Sequence, residues 1–209
     1  MRRSATQEFE ARQDGRLAMR PVVLVHGIFD SATIFKTMGS FLAGRGFQPL
    51  APSLTPSSGR AGLDDLALQL HDFVHTNLPN GESFDLIGFS MGGLVSRYYI
   101  QRLGGLNRVR RFITISSPHQ GSYWACLIGS TACRQMRPGS PFLRDLNQDV
   151  KMLEQVRFVS LWTPLDLMIV PATSSRLNVG KEFVLPVALH RWMVFSRRSL
   201  RLIAGLLQE

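Results

Sequence analysis

The chain has 209 residues, of which 44% are apolar and 19% are charged, which suits one globular domain with a hydrophobic core. This composition excludes collagen-like, intrinsically disordered and repeat architectures, and the length argues against a second domain. Lysine and arginine total 24 against 15 acidic residues, so the formal net charge is +9, which bears on association rather than on fold or reaction.

The predicted secondary structure alternates strands with helices. Short β-branched runs that end in turn residues predict strands, and apolar residues at helical spacing predict helices. In chain order we expect a strand at 21–25, a helix at 31–44, a strand at 47–51, a helix at 63–78, a strand at 84–89, a helix at 91–103, strands at 109–115, 158–162 and 183–187, and a closing amphipathic helix through 200–207. This alternation indicates a mostly parallel sheet with helices on both faces and its chemistry at the carboxyl ends of the strands.

The N-terminal segment, the absence of long apolar stretches and the two cysteines bear on the location of the protein and on bound metals. Residues 1–18 lack the apolar stretch of a secretory signal, so we expect a flexible extension before a single domain at 19–209, with Met1 and Met19 as alternative starts. No stretch reaches the roughly 18 apolar residues of a membrane span, so we predict a cytoplasmic protein. Cys126 and Cys133 lack the spacing of a zinc site. We expect reduced thiols, with a local bridge as the alternative, and neither a metal nor another cofactor.

Most of the basic residues are arginines spread along the chain. Two small groups stand out, one of Arg108, Arg110 and Arg111 and one of Arg197, Arg198 and Arg201. No compact basic run with interleaved aromatic residues accompanies them, so we interpret them as solvated faces and predict no nucleic-acid partner.

The segment Gly88-Phe89-Ser90-Met91-Gly92 carries the strongest chemical signal. It fits the pattern G-x-S-x-G and lies between a predicted strand and a predicted helix, which is the context of a nucleophile elbow. The turn is so sharp that only glycine fits two residues to either side of the serine. Ser90 is therefore the predicted nucleophile, and the helix start beneath it offers free N–H groups to a developing oxyanion.

The base and the acid follow from the chain order of this architecture, in which the acid and then the histidine come after the serine. A base delivered after the last strand is His190, with a buried histidine at a helix start as the alternative. Asp166 directly follows the strand at 158–162 and is the predicted acid, because Asp145, Asp149 and Glu154 fall in a stretch with helical character. Glu182 lies at the wrong end of the last predicted strand.

The sequence His26-Gly27-Ile28-Phe29 follows the first predicted strand, where a backbone N–H completes an oxyanion hole together with the N–H of Met91. We interpret His26 as a structural residue that positions this loop, with a catalytic role as the alternative.

Four segments together resemble the bacterial lipases and esterases of the α/β-hydrolase superfamily, namely VVLVHGIFDSATIF, DLIGFSMGGLVSRYYIQRLGG, RFITISSPHQGS and TPLDLMIVP. The resemblance covers roughly residues 21–190 and is strongest to compact lipases with an HG loop. It implies an α/β-hydrolase fold with a small cap or lid insertion. It also implies Ser90 as nucleophile, Asp166 as acid and His190 as base, with Ile28 and Met91 as oxyanion donors.

A stretch at 119–156 contains no predicted strand and is too long for an unstructured loop in a compact domain. It is either a cap whose apolar residues face acyl chains or a helical excursion that packs on the sheet. We expect Tyr123 and Trp124, together with Phe29 of the HG loop, to contact the substrate.

The predicted function is that of a serine carboxylester hydrolase, a lipase or esterase that cleaves lipid-like or small esters through an acyl-enzyme. A thioesterase or acyltransferase with the same triad is the alternative, and a non-enzymatic basic protein is a third reading. The closing helix carries arginines opposite Leu200, Ile203 and Leu207. It either touches an anionic membrane surface peripherally or buries its apolar stripe against the sheet.

Overall fold

A computed structural model describes residues 19–209, so the predicted extension at 1–18 lies outside the described residues. The strands are β1 Arg20–Val25, β2 Phe47–Leu50, β3 Phe84–Phe89, β4 Val109–Ile115, β5 Arg157–Trp162 and β6 Lys181–Val184. The α-helices are α1 Lys36–Ala43, α2 Leu63–Asn77, α3 Met91–Arg102, α4 Thr131–Gln135, α5 Pro141–Gln148 and α6 Arg197–Gln208. Short 3-10 helices include Ala32–Phe35, Tyr123–Leu127, Val150–Gln155 and His190–Val194.

The six strands form one parallel sheet in the order β2-β1-β3-β4-β5-β6. All carboxyl ends therefore lie at one edge, below called the carboxyl edge. The predicted last strand at 183–187 was placed too late. Leu185 still donates its N–H to the carbonyl of Trp162 at 2.8 Å, but Pro186 has no N–H to continue the ladder. β6 consequently ends at Val184.

Each face of the sheet carries its own hydrophobic layer, because successive strand residues point to opposite sides. In β1, Val23 and Val25 join the layer beneath α2 and α3, whereas Val22 and Leu24 join the layer beneath α1 and α6. Helices on both faces bury the four inner strands β1, β3, β4 and β5 almost completely, whereas the edge strands β2 and β6 are more exposed.

The helix α6 buries its apolar stripe. Leu200, Ile203 and Leu207 belong to the core layer shared with α1, while the three arginines of the helix are exposed. Packing against the sheet is therefore the alternative that the structure shows, and the stripe is not free to enter a bilayer. No helix within residues 19–209 is long and apolar enough to cross a membrane.

The arginine group at the start of β4 differs from the solvated face that we expected. Arg110 and Arg111 both contact the fully buried carboxylate of Asp85, at 2.8 and 3.3 Å, and the side chain of Arg111 is itself buried. A buried carboxylate needs charged partners, so these arginines stabilise the interior. The two cysteines are free, with Cys126 exposed and Cys133 buried.

The stretch at 119–156 is a helical excursion that packs on α3. Arg97 of α3 is fully buried and donates to the carbonyl of Leu146 at 2.9 Å and to the side chain of Asn147 at 3.0 Å. Gln101, one turn later, donates to the same carbonyl at 2.8 Å. Burial and then the charge of Arg102 lower the pKa of Arg97 to about 9. These bonds attach α5 to the helix that follows Ser90.

Candidate active site

Ser90 lies in a strained turn between β3 and α3. Its backbone has φ of 54° and ψ of −124°, a conformation that is costly for a residue with a side chain. The N–H of Ser90 donates to the carbonyl of Ile115 at the end of β4, at 2.8 Å, which holds the turn at the carboxyl edge. This is the strand-turn-helix geometry that the sequence predicted for a nucleophile elbow.

The glycines of the elbow are required because neighbouring backbone leaves no room for a side chain. A Cβ added to Gly88 would lie 2.7 Å from the carbonyl oxygen of Gly92, and one added to Gly92 would lie 2.6 Å from that of His26. Neither backbone neighbour can move aside without distorting the turn. The pattern G-x-S-x-G thus has a direct steric cause in this chain.

Asp166 and His190 form a buried pair at the same edge. The Asp166 carboxylate accepts a hydrogen bond from Nδ1 of His190 at 2.7 Å through one oxygen. Its other oxygen accepts from the N–H groups of Met168 and Ile169, each at 2.9 Å. The carboxylate therefore stabilises the tautomer with the proton on Nδ1 and leaves Nε2 free to act as a base.

The electrostatics of this pair favour an ionised acid. Burial by itself raises the pKa of Asp166, but the hydrogen bond and charge of His190 and the two backbone N–H groups outweigh it and lower the pKa. A carboxylate that stays charged is suited to stabilise an imidazolium on the neighbouring ring.

His190 lies beside the elbow although it comes from the far end of the sheet. Its ring packs 4.8 Å from the ring of Phe89, the residue before Ser90, measured between centroids. Among residues 19–209 no hydrogen bond joins Ser90 to the imidazole. Catalytic hydrogen bonds of this kind commonly form only when substrate is bound.

The loop after β1 reaches the elbow from the other side. A Cβ added to Gly27 would lie 3.0 Å from Cβ of Ser90, so the loop passes in close contact with the nucleophile. Phe29 has a φ of 60°, and its N–H donates to the carbonyl of Ser57 at 2.8 Å. Within the described chain the N–H groups of Ile28 and Met91 donate to no backbone acceptor. Both are available to an oxyanion near Ser90.

His26 holds this loop in place through both ring nitrogens. Nε2 accepts the N–H of Leu54 at 2.9 Å, so Nδ1 carries the proton and donates to the carbonyl of Gly27 at 2.9 Å. Burial lowers the pKa of His26, against smaller opposing effects of the Gly27 hydrogen bond and the charge of Asp30. A neutral histidine with both nitrogens occupied positions the loop, as the structural interpretation of His26 expects.

The alternative base His119 and the alternative acid Asp145 lie away from Ser90. His119 is fully buried behind the sheet edge, where its Nε2 lies 3.1 Å from the hydroxyl of Thr114. Burial and then the charge of Arg97 hold its pKa well below the ordinary value. Asp145 lies on the exposed surface in an ion pair with Arg102 at 3.0 Å. Neither is a partner of Ser90.

A narrow, mainly apolar cleft opens at Ser90. Its lining comes from the loop after β1, the excursion and the loop after β5, and consists of Ile28, Ser90, Pro118, Ser122, Trp124, Ala125, Met136, Met168 and Ile169. Its volume of about 20 Å³ holds roughly one water molecule. Of the predicted substrate contacts only Trp124 lines this cleft. Phe29 and Tyr123 are exposed, at 57% and 62% of their surface.

Several residues of this edge were not among the candidates predicted from the sequence. Met168 and Ile169 line the cleft and donate their N–H groups to Asp166. Their position two and three residues after the predicted acid could have indicated them. Met136 also lines the cleft, and it belongs to the stretch at 119–156 whose apolar residues the cap interpretation places against acyl chains. An ion pair between Asp30 and Arg191, at 2.8 Å, was also missed because its members lie far apart in the sequence.

The fold and the elbow define an α/β-hydrolase, which confirms the predicted fold class. The lipase BlEst2 of Bacillus licheniformis in its mature form superposes with a TM-score of 0.74 at 16% identity, over 91% of this chain and 93% of that one. Aspergillus fumigatus lipase B also gives a TM-score of 0.74 at 16% identity, over 93% of this chain and 54% of its own. At this identity the likeness concerns the fold.

The family is shown by sequence. The model of the palmitoyl protein thioesterase family matches residues 21–150, so the chain belongs to this family. The lysosomal thioesterase PPT2 of Mus musculus is 32% identical over 112 residues, which cover 52% of this chain and 37% of that protein. The human protein of the same name is 31% identical over the same shares. The matched region thus covers little more than a third of these curated relatives. Family membership places the chain among the hydrolases.

Proposed function

We propose that this protein is a serine hydrolase that transfers an acyl group from a thioester to Ser90 and then to water. The observation that carries the proposal is that the ring of His190, which is paired with Asp166, packs beside the strained elbow of Ser90. Ser90 and Ile28 in turn line an apolar cleft. Membership of the palmitoyl protein thioesterase family supports a thioester as the substrate.

The arrangement supports the following reaction. Nε2 of His190 takes the proton of the Ser90 hydroxyl while Oγ attacks the acyl carbonyl, and Asp166 stabilises the resulting imidazolium. The N–H groups of Ile28 and Met91 stabilise the oxyanion. The imidazolium then returns its proton to the leaving thiolate, the thiol departs, and water activated by the same base hydrolyses the acyl-enzyme.

A carboxylic ester is the second candidate substrate. The observation that favours it is the chemistry of the site itself, since nothing lining the cleft distinguishes a sulfur from an oxygen leaving group. A thiolate is the better leaving group because thiols are more acidic than alcohols, so a shared acyl-enzyme forms more easily from the thioester. We therefore place the thioester first and the ester second.

The acyl chain of the substrate is expected to lie mostly outside the cleft. The cleft is too small for a long chain, but exposed apolar side chains occur in the segments that supply the acid and the base. They include Leu165 and Leu167 after β5 and Trp192 after His190. We propose that the carbonyl enters the cleft while most of the chain lies on these apolar side chains.

Fluorophosphonate labelling tests the nucleophile. Wild-type protein is expected to be labelled, and Ser90→Ala is expected to lose labelling and turnover by at least about a thousandfold, because triad members act as a unit. Equal labelling of the variant would place the nucleophile elsewhere. A pair of substrates with one acyl chain, joined either to a thiol or to an alcohol, then compares kcat/KM. A higher value for the ester would replace the thioester as the preferred substrate.

A further inference from the structure

The segment that carries His190 has to cross the sheet. In the strand order, β6 is separated from β1 by four strand spacings, which amounts to about 19 Å at roughly 4.8 Å each. The loop after β6 nevertheless brings Arg191 to within 2.8 Å of Asp30, which follows β1. The two loops thus meet above the strands that separate them, next to the elbow.

Asp30 is built into this junction. Its side chain is only 9% exposed, whereas that of Arg191 is 63% exposed, so the arginine covers the carboxylate from the solvent side. The N–H of Asp30 donates to the carbonyl of Gly27 at 3.3 Å, which closes the turn that presents Ile28. We call the residues 26–30 after β1 the oxyanion loop and the 3-10 helix His190–Val194 the His190 segment. Asp30 therefore closes the oxyanion loop through its backbone and contacts the His190 segment through its carboxylate.

The carboxylate of Asp30 interacts electrostatically with the imidazole of His190. Burial raises the pKa of Asp30, and the charge of Arg191 is the largest effect that lowers it. The imidazoles of His26 and His190 would lower it further when protonated. The carboxylate of Asp166 contacts His190 directly, and that of Asp30 interacts with it from farther away. The guanidinium of Arg191, the next residue in the chain, contacts Asp30. His26 interacts with Asp30 from below but is neutral through its hydrogen bonds.

Resting on the function proposed above, we propose that Asp30 and Arg191 are positioning residues, a clamp that holds the oxyanion loop and the His190 segment together. The clamp has two effects. It maintains the spacing between the oxyanion donors and the base, and it places two opposite charges beside the segment that carries the imidazole.

The two charges predict opposite shifts in a pH profile. The rate of fluorophosphonate labelling rises with pH as the base loses its proton. Asp30→Asn removes a negative charge, so the midpoint of this rise is expected to move to lower pH by about half a unit. Arg191→Gln removes a positive charge, so the midpoint is expected to move to higher pH by a similar amount. Both variants lose the same ion pair, so a structural role by itself would not produce shifts of opposite sign.

A matched control uses the exposed ion pair of Arg176 and Glu182, at 2.9 Å. Glu182→Gln and Arg176→Gln make the same charge changes away from the junction and are expected to leave the midpoint unchanged. Asp30→Glu, which keeps the charge, is expected to restore the midpoint. Unchanged midpoints in both clamp variants, or shifts in the same direction, would overturn the clamp.

Two readouts separate this inference from the proposed function. Absence of labelling in wild-type protein would contradict the proposed function itself. Labelling that rises with pH in the wild type but does not shift in the variants contradicts the clamp alone. Histidine side-chain NMR gives the same titration without any reaction, and circular dichroism verifies that each variant is folded.

Discussion

At Asp166 three hydrogen bonds converge on one carboxylate, and each supports a separate part of the site. Two come from backbone N–H groups and fix the loop after β5, and the third orients His190. Because all three favour the charged form, the aspartate is poised to remain ionised when the imidazole gains a proton.

We predict that Asp166→Asn lowers kcat by about a thousandfold or more. An amide in place of the carboxylate can donate to Nδ1, which favours the wrong tautomer and removes the negative charge beside the imidazolium. Asp145→Asn is the matched control, since Asp145 makes an exposed ion pair with Arg102 and is expected to retain near-normal turnover. An essential Asp145 and a dispensable Asp166, measured on one substrate, would contradict the assignment of the acid.

At the scale of elements, the helix α3 approaches β1 and β3 so closely that glycine is required at their contacts. A Cβ added to Gly88 or Gly92 in the elbow would collide with backbone atoms. Gly205 in α6 is exposed, and a Cβ added there would have no neighbour within 4 Å. The same residue type thus has a steric cause in one helix and none in the other.

This contrast predicts opposite changes in stability. Gly88→Ala is expected to lower the free energy of unfolding by about 1–3 kcal/mol, because the added methyl group would collide with backbone. Gly205→Ala is expected to raise it by about 0.5–1 kcal/mol, because alanine restricts the unfolded chain and favours the helix. Urea unfolding measures both. Stabilisation by Gly88→Ala would show that the elbow is looser than described.

At the scale of the whole molecule, buried histidines couple stability to pH. His26 and His119 both have pKa values lowered by burial, so the folded protein binds fewer protons than the unfolded chain as the pH falls. Stability is then fully present above the unfolded value of about 6.5 and declines below it, down to the folded pKa values.

We predict that the free energy of unfolding falls between about pH 7 and pH 5, and that His119→Gln makes this fall shallower. Removal of one such group is expected to reduce the slope by up to about 1.4 kcal/mol per pH unit. His71→Gln is the control, because the side chain of His71 is exposed and lies 3.2 Å from the carboxylate of its neighbour Asp72. An unchanged slope in His119→Gln would mean that folding does not lower the pKa of His119.

Peripheral contact with anionic membranes remains a proposal, and the structure changes how it would occur. The stripe of α6 is in the core, so contact would rely on the exposed Arg197, Arg198 and Arg201. The helix starts at the carboxyl edge, since its far end reaches β5 where the carbonyl of Glu209 accepts from Arg157 at 2.7 Å. The arginines at its start consequently lie on the side of the molecule that carries Ser90.

Sedimentation with vesicles of graded anionic lipid tests this contact. Binding is expected to rise with anionic lipid and to weaken with salt, and a triple Arg→Gln variant at 197, 198 and 201 is expected to lose up to about a hundredfold in affinity. A control with the same charge change replaces Arg45, Lys151 and Lys181 near the opposite edge. No binding at low salt, or equal losses in both variants, would contradict a specific orientation.

The sequence by itself determined what depends on residues close together in the chain. Short β-branched runs and the 3.6-residue pattern indicated five strands to within about a residue and the main helices. The elbow was readable because its G-x-S-x-G pattern lies within five residues. The candidate triad was predicted from chain order, and the structure brings Asp166 and His190 into contact.

Only the tertiary structure decided what depends on distant residues. The burial of Arg111 on Asp85, the attachment of the excursion through Arg97 and the meeting of Asp30 with Arg191 leave no local pattern. Local periodicity reports which face of an element is buried, whereas the identity of the partner across that face depends on the path of the whole chain.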